Sequence, residues 1–535
     1  MAARGKVDTE QVQLGDRRFG LVQRVASSGR GMIATAHHRA TEAGVAILSA
    51  GGNAVDAAVA AAFALGVCEP AASGLGGQTM MMIHHAAGSR TIALDGSSRA
   101  PCRATRDTFK RRHSRVGYSA ATVPSTPAVL AYALQEYGTL TLGQVLKPAI
   151  RLAAEGYEVS ELQNKLTRRE LTKLRSHSAG PLFLLGGRRP LPVGAVHRQP
   201  ALAETLSRLA REGVIEFYTG EIAREIDADM AANGGLIRLD DLAQIPWPIE
   251  REALSCRFGS HRVLTFPLPG AGRTLVEMIN VYRRLPARLR DFDTPEGAVA
   301  LAMTIQTAFR DREDRPFDPN FYAQLSQKKM LSTEHARQVA GEIVREVEGR
   351  GETTHLSAMD SAGNVVALTQ SIERVYGSCC ATEGLGFLYN DYMSAFEYDD
   401  ISHPYYLRPN AVPWASVAPT IVFRDAEPWL AIGSPGSERI TPSILQVLVR
   451  LHKKEPPLAA VDSPRLHCSI DGKVSLEAAR MSDEIPRALE QQGFEVDRRE
   501  PYSFYLGCVQ LVLRDGKRLT GVADPRRDGS AGGPR

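Results

Sequence analysis

Gly351-Glu352-Thr353-Thr354-His355-Leu356-Ser357 opens the last third of the chain, and the turn-rich Asp360-Ser361-Ala362-Gly363-Asn364 comes closely after it. Apolar alternation on both sides of that turn predicts a hairpin with strands over 356–359 and 365–371. A turn centred between Ala362 and Gly363 sets Thr353 opposite Ile372, and a one-residue slip sets Ser371 or Glu373 there instead. Ser371 and Glu373 share one strand face by the two-residue period, so a hydroxyl and a carboxylate can stand beside Thr353. A threonine hydroxyl is a poor nucleophile until a base takes its proton. One solution makes the threonine the first residue of a chain, so that its own α-amine, with a pKa of roughly 7.7–8.0, is the base. An internal threonine has no free amine. This chemistry therefore demands a cut between Glu352 and Thr353.

Outward from the hairpin, helical spacing predicts helices at 40–48, 56–66, 141–155, 200–212, 221–233 and 295–310, with a mostly helical middle from 130 to 350. Strands are expected at 80–84, 420–423, 429–432, 474–476 and 508–513, interrupted by helices at 441–452 and 483–492. Such a mixture fits sheet packed on sheet under helices. Residues up to about Arg30 read as an irregular arm, and 526–535, rich in Gly, Ser, Pro and Arg, as a disordered tail.

The 535 residues are 43% hydrophobic and 23% charged, with a net charge of +4. That length holds roughly two to four domains. The near balance of charge gives nucleic-acid binding no electrostatic footing. The densest basic run, Lys110-Arg111-Arg112-His113-Ser114-Arg115, reads as a solvated surface segment. Seven scattered cysteines without a Cys-x-x-Cys pair imply neither a disulfide framework nor a zinc site. The first 28 residues carry no apolar signal core, and the most apolar run, 57–68, is too short to span a bilayer. A cytoplasmic protein without membrane attachment is expected. His37-His38 and His84-His85 are rejected as metal ligands, because adjacent strand residues point to opposite faces. Gly74, Gly76 and Gly77 fit no phosphate-loop spacing and read as a tight turn, and Cys379-Cys380 as buried packing.

An ordered set of short motifs then carries a resemblance. Gly31-Met32-Ile33-Ala34, Gly51-Gly52-Asn53-Ala54-Val55-Asp56-Ala57-Ala58, Glu69-Pro70 and Ser73-Gly74-Leu75-Gly76-Gly77 come first. Phe217-Tyr218-Thr219-Gly220, Asn233-Gly234-Gly235, Ala308-Phe309 and Asp311-Arg312 come next. Thr353-Thr354-His355, Gly363-Asn364, Gly433-Ser434-Pro435-Gly436, Pro464-Arg465 and Asp524-Pro525-Arg526 complete it. From Gly31 to about Gly529 the chain resembles the γ-glutamyltransferase (γ-glutamyl transpeptidase, glutathione hydrolase) family of N-terminal-nucleophile hydrolases. The resemblance implies an α+β fold, a four-layer αββα sandwich, made as one proenzyme. After the 1–30 arm, it implies a large subunit over 31–352 and a small one over 353–535, two parts of one folded unit that can pair further. No metal or organic cofactor is implied. Thr353 attacks the substrate amide, and water or an amino-acid or peptide amine takes the acyl group. Ser371 matches the hydroxyl that assists the nucleophile, and the oxyanion hole falls on the backbone N–H groups of Gly436 and Ser437.

The substrate pocket departs from the family pattern. Ser97 stands where an arginine holds the glutamate carboxylate, with Arg99 close by. Of a serine pair, Ala415 replaces the first and Ser416 keeps the second. Glu373 stands for an asparagine, Tyr392 for a glutamine and Ala395 for an aspartate. Glu373 reads as a partner for a substrate amine, as a solvated charge, or as a carboxylate paired with Arg374 or Arg99, while Arg99 or Arg374 can supply a carboxylate clamp. Three readings result: an amidase for γ-glutamyl compounds such as glutathione, an amidohydrolase of the same mechanism on another acid amide (oxamate or cephalosporin type), and an uncut pseudoenzyme.

Overall fold

The computed structural model describes residues 23–105, 115–314 and 352–535. Most of the expected arm (1–22), the basic run at 110–114 and Gly351 lie outside the described residues. Two seven-stranded antiparallel sheets lie at the centre. Their strands, in chain order, are β1 Val25–Ser28, β2 Gly31–Thr35, β3 Gln78–His85, β4 Arg90–Gly96, β5 Ile249–Arg251, β6 Leu254–Phe258 and β7 His261–Thr265. After these come β8 Glu352–Asp360, β9 Val365–Glu373, β10 Thr420–Arg424, β11 Glu427–Gly433, β12 Gln510–Asp515, β13 Arg518–Ala523 and β14 Ser530–Gly532. One sheet runs β14-β2-β8-β9-β3-β4-β5, the other β1-β13-β12-β11-β10-β7-β6.

Three apolar clusters fix the layering. Leu356, Ala358, Val366 and Leu368 of the first sheet pack on helices α1 His38–Ser49 and α2 Ala54–Cys68. Met359, Val365 and Ala367, which alternate with them, pack on Ile421, Ala431 and Val512 of the second sheet. The far face of that sheet meets α3 Gly272–Tyr282, α4 Pro295–Asp314 and α5 Ile440–His452. The fold is a four-layer αββα sandwich, and the alternation of side chains along each strand is what feeds two cores at once.

Helix α2 is almost wholly apolar and buried on all sides, as a helix between layers must be. Asn53 caps it: its Oδ1 accepts from Val55 N and Asp56 N, while Asp56 Oδ2 accepts from Asn53 N at 2.7 Å. Ala54 N donates to Asp360 Oδ2 at 2.9 Å. The start of α2 is thereby tied to the hairpin turn. Asp360 also accepts from Asn364 N at 3.0 Å, and Gly363 takes φ +98°, so three residues make the turn.

That turn sets the register. Leu356 lies opposite Leu368 and Thr354 opposite Gln370, one residue from the register expected with Thr353 facing Ile372. Glu352 nevertheless pairs with Glu373, because a bulge interrupts the ladder between Glu352 and Thr354. Thr353 thus sits at a bulge opposite Ser371 and Ile372.

Two expectations are corrected, and a third is supplemented. The arm is not irregular throughout: β1 pairs with β13, and its Ala26 joins the inter-sheet core. The end of the chain is not a disordered tail: β14 pairs with β2, and Arg526 and Arg527 are buried among carboxylates. Ion pairing ordered a stretch whose composition alone lacks apolar drive. The middle is mostly helical as expected over its described residues, but it also holds strands that were not expected, since β6 and β7 extend the second sheet. The alternating polar residues Ser255 and Arg257 mark β6 as a sheet edge, which weakens the apolar signal in the sequence.

Candidate active site

Thr353 and Ser371 are 3% and 1% exposed. The face of each can be read from His355, whose Nδ1 lies 2.8 Å from Thr369 Oγ1 and whose ring covers Gly433 of the other sheet. Residues two apart share a face, so Thr353 on β8 and Ser371 on β9 belong to the inter-sheet side with His355 and Thr369. A Cβ on Gly433 would collide with the imidazole. Glycine there lets the two sheets close at this point. Beyond Gly433, the chain turns through Gly436 (φ +116°) and Ser437 (φ +53°) into a short 3₁₀ turn, Ser437–Arg439. The oxyanion-hole residues expected from the sequence thus lie in the loop leaving the strand that faces β8. Ser437 holds a left-handed conformation that glycine takes more readily.

His355 is fully buried, and burial lowers its pKa to about 3. The folded protein then binds fewer protons than the unfolded chain between that value and the ordinary one near 6.5, so this stability is present above about 6.5 and is lost as pH falls toward 3. His355→Gln is expected to flatten the acid side of the stability curve by up to about 1.4 kcal/mol per pH unit. Urea midpoints measured from pH 7 to pH 4 check this, and parallel curves for the two proteins would refute it.

Around Ser371 several polar groups are linked by hydrogen bonds. Its Oγ accepts from Glu373 N at 2.9 Å, and Gln78 is its partner across the ladder on β3. Gln78 Oε1 accepts from Ser98 N at 2.8 Å and Ser98 Oγ at 3.0 Å. Thr122 Oγ1 donates to Asn390 Oδ1 at 2.8 Å, which also accepts from Tyr392 N at 3.0 Å. Gly77 brings β3 close, where a Cβ would collide with Ser371 O. The tight glycine turn expected from the sequence is therefore packed against Ser371.

Charge gathers just beyond. Glu373 is half-buried with φ +73°, an uncommon conformation for a side chain of this size. Arg374 Nε lies 3.3 Å from Asp391 Oδ2. Burial drives the Asp391 carboxyl well above its usual range, with Arg374 opposing and Glu373 adding to the rise. Burial, then the charge of Glu373, also pushes the Tyr392 phenol up. Two carboxylates and a tyrosine thus stand together at the end of β9.

The remaining expected residues are dispersed. Ser97 Oγ donates to Asp95 Oδ1 at 2.6 Å, and Asp95 pairs with Arg251 at 2.7 Å. The Arg99 backbone bridges to Val123, while the residue lines a cavity of about 290 Å³ with Cys102, Trp247 and Asn410. Neither Thr353, Ser371 nor Glu373 lines that cavity. Ser416 is half-buried beside the buried Ala415, whose N donates to Pro269 O at 3.2 Å. A larger cavity, about 950 Å³, opens beside β1 and β14 among Arg24, His38, Glu158 and Asp528 and includes none of the expected site residues. Sequence reading missed Asp391, Asn390 and Gln78; the polar Asn390-Asp391 step before Tyr392 is the one signal that pointed there. Among the described residues, no cluster of His, Cys, Asp and Glu could hold a metal ion. No helix there is long and apolar enough to cross a membrane.

Known proteins are similar to this chain over nearly its whole length. The "Glutathione hydrolase proenzyme" of Escherichia coli (strain K12) is 31% identical over 93% of this chain and 90% of its own. The "Acylase ACY 1 proenzyme" of Pseudomonas sp. (strain V22) is 33% identical over 96% of this chain and 95% of its own. The solved cephalosporin acylase from Bacillus halodurans superposes with a TM-score of 0.86 at 27% identity, covering 99% of this chain and 100% of that one. A family model described as gamma-glutamyltranspeptidase matches residues 40–533. The chain belongs to the gamma-glutamyltranspeptidase family and shares the N-terminal-nucleophile hydrolase fold of its acylase relatives.

Proposed function

We propose that this chain is a self-processing amide hydrolase that cuts itself between Glu352 and Thr353 and then uses Thr353 as nucleophile. The observation that carries this reading is the bulge at Thr353 opposite Ser371, on the face turned toward the other sheet. Once the cut is made, the Thr353 α-amine takes the hydroxyl proton, and Ser371 holds the hydroxyl by a hydrogen bond. The carbonyl carbon is attacked, and its oxygen, now negative, receives hydrogen bonds from Gly436 N–H and Ser437 N–H. The amine leaves with the proton. Water, or the amine of an amino acid or peptide, then releases the acyl group by the same route. The two pieces, 1–352 and 353–535, work as one unit.

The substrates belong to the γ-glutamyl class, of which glutathione is the type. Glu373, half-buried at the open end of β9, takes the α-amine, and Tyr392 and Ser416 line the acyl side. A second reading, an acylase for other acid amides, is favoured by Ser97 being held on Asp95 and Arg374 on Asp391, both engaged away from a substrate carboxylate. Desolvating a charged group without its partner costs on the order of 2–5 kcal/mol. Turnover of γ-glutamyl anilide, glutaryl anilide and oxamate by one preparation separates the two. Preference for γ-glutamyl anilide is expected; equal or better turnover of glutaryl anilide or oxamate moves the assignment to the acylase class. Intact mass of the purified protein tests the cut, with a second polypeptide starting at Thr353 as the expected product.

A further inference from the structure

Asp311-Arg312 is one of the motifs that carry the family resemblance, yet the chemistry above gives it no part. Arg312 stands near the end of α4, in the first part of the chain. Its Nη2 donates to Glu438 Oε1 at 2.7 Å, and the two side chains are only 11% and 10% exposed. The Arg312 guanidinium also lies 5.0 Å from the centre of the Phe309 ring and 5.6 Å from that of Trp414. Phe309 is three residues back on the same helix, whereas Trp414 belongs to the segment that carries Ala415 and Ser416. Two rings and a carboxylate together fix the guanidinium. Helix α4 thereby decides where the Glu438 side chain is held.

Glu438 directly follows Ser437, whose N–H, with that of Gly436, is assigned above to the oxyanion. That loop needs support. Gly436 and Ser437 take positive φ in succession, +116° and +53°, and the second carries a side chain, so the surroundings must hold the turn in place. Before it, Ser434 Oγ accepts from Cys508 N at 2.9 Å. After it, Arg439 N donates to Gly436 O at 3.0 Å and Arg439 Nε to Tyr505 O at 3.0 Å, while Arg439 O accepts from Ser443 Oγ at 2.7 Å. These bonds all stay within 353–535. The bond from Glu438 to Arg312 reaches across residue 352 to the other part of the chain. Rotating Ser437 out of its left-handed conformation would swing Glu438 away from Arg312, so the ion pair opposes that rotation.

We propose that Arg312 is a positioning residue for turnover: through Glu438 it holds the Ser437 N–H on the developing oxyanion, so that the 1–352 part supports the oxyanion hole of the 353–535 part. This rests on the nucleophile reading above. Glu438→Ala removes the carboxylate, Arg312→Met removes the cation and keeps an apolar stem beside the rings, and Arg312→Lys keeps the cation. The full-length proteins are assayed for kcat and KM on the amide the wild type turns over best, with turnover counted per cut molecule by intact mass. Glu438→Ala and Arg312→Met are each expected to lower kcat by about tenfold to a hundredfold with KM unchanged, because an oxyanion donor acts in the transition state and a displaced one forfeits part of its effect. Arg312→Lys is expected to recover part of the loss. The double variant, Glu438→Ala with Arg312→Met, is expected to be no slower than the slower single, since both act along one path. A Glu438→Ala enzyme with wild-type kcat overturns the proposal, even where Arg312→Met fails to fold. Losses that multiply in the double variant, or a raised KM at unchanged kcat, overturn it too. A wild type that neither cuts itself nor turns over an amide overturns the nucleophile reading and this role with it; an active wild type beside unaffected variants removes only the role of Arg312.

Discussion

Thr353→Ala is expected to leave one uncut chain of 535 residues and to remove turnover by on the order of 10⁴-fold or more. Alanine deletes the oxygen that, in the proposed mechanism, attacks both the Glu352 carbonyl and a substrate amide. Thr353 is buried at a bulge, and the substitution removes a hydroxyl and a methyl group without adding volume. Folding should survive, so loss of cutting reports chemistry. Thr353→Ser keeps the hydroxyl and should cut itself and turn over, more slowly, since serine lacks the methyl group that fixes χ1. Intact mass and a γ-glutamyl anilide assay read both effects. A Thr353→Ala chain that still splits at residue 352 would falsify the nucleophile assignment.

The second large effect is on stability. Asp524→Asn should lower unfolding free energy by about 3–5 kcal/mol, the cost of removing one member of a buried ion pair. Asp524 Oδ2 lies 2.6 Å from Arg465 Nη2, and Oδ1 lies 3.1 Å from Arg526 Nη1. Arg526 reaches Glu477 at 2.6 Å, and Glu477 also pairs with Arg480. All but Arg480 are essentially without solvent contact. Burial works against the Asp524 charge, yet Arg465 and Arg526 outweigh it and hold the carboxyl below its usual range. The asparagine variant keeps the shape and leaves two guanidinium groups around a neutral amide. The wild type should also lose this contribution as pH falls through the depressed pKa, a dependence the variant lacks. Urea midpoints at pH 7 measure the loss. An unchanged midpoint would mean that the network adds nothing to stability.

Much of this was legible in the chain. The hairpin announced itself because Gly363-Asn364 comes after alternating apolar residues, and the sequence motifs around Thr353 and Gly436 carry the chemistry proposed above. The register came out one residue off in the strand body, since nothing local says that Asp360 will close a three-residue turn by accepting from Asn364 N. The bulge then restored Glu352 to Glu373. Bulges carry no strong signature unless a glycine marks them. The acidic end of β9 was half legible. Glu373 stood out, but Asp391 is eighteen residues further on, and only the folded chain brings it to Arg374. The C-terminal strand was misread for the same reason. Arg526 and Arg527 look like solvated charge until their carboxylate partners, Glu477 and Glu69, are placed beside them.

The place of strand β8 in its sheet decides the fate of the molecule after a cut at its first bond. The strand lies between β2 from the first part of the chain and β9 from the last, and the other sheet likewise mixes strands from both sides of residue 352. The two polypeptides would share each layer of backbone hydrogen bonds and every apolar core. Neither could leave without unzipping both sheets, so scission would not loosen the molecule. It would change the way back. An uncut chain folds at a rate independent of concentration, whereas two separated pieces must meet before any central sheet can form. The cut would thus turn a folding reaction of first order into one of second order, and make the mature molecule something the cell assembles once.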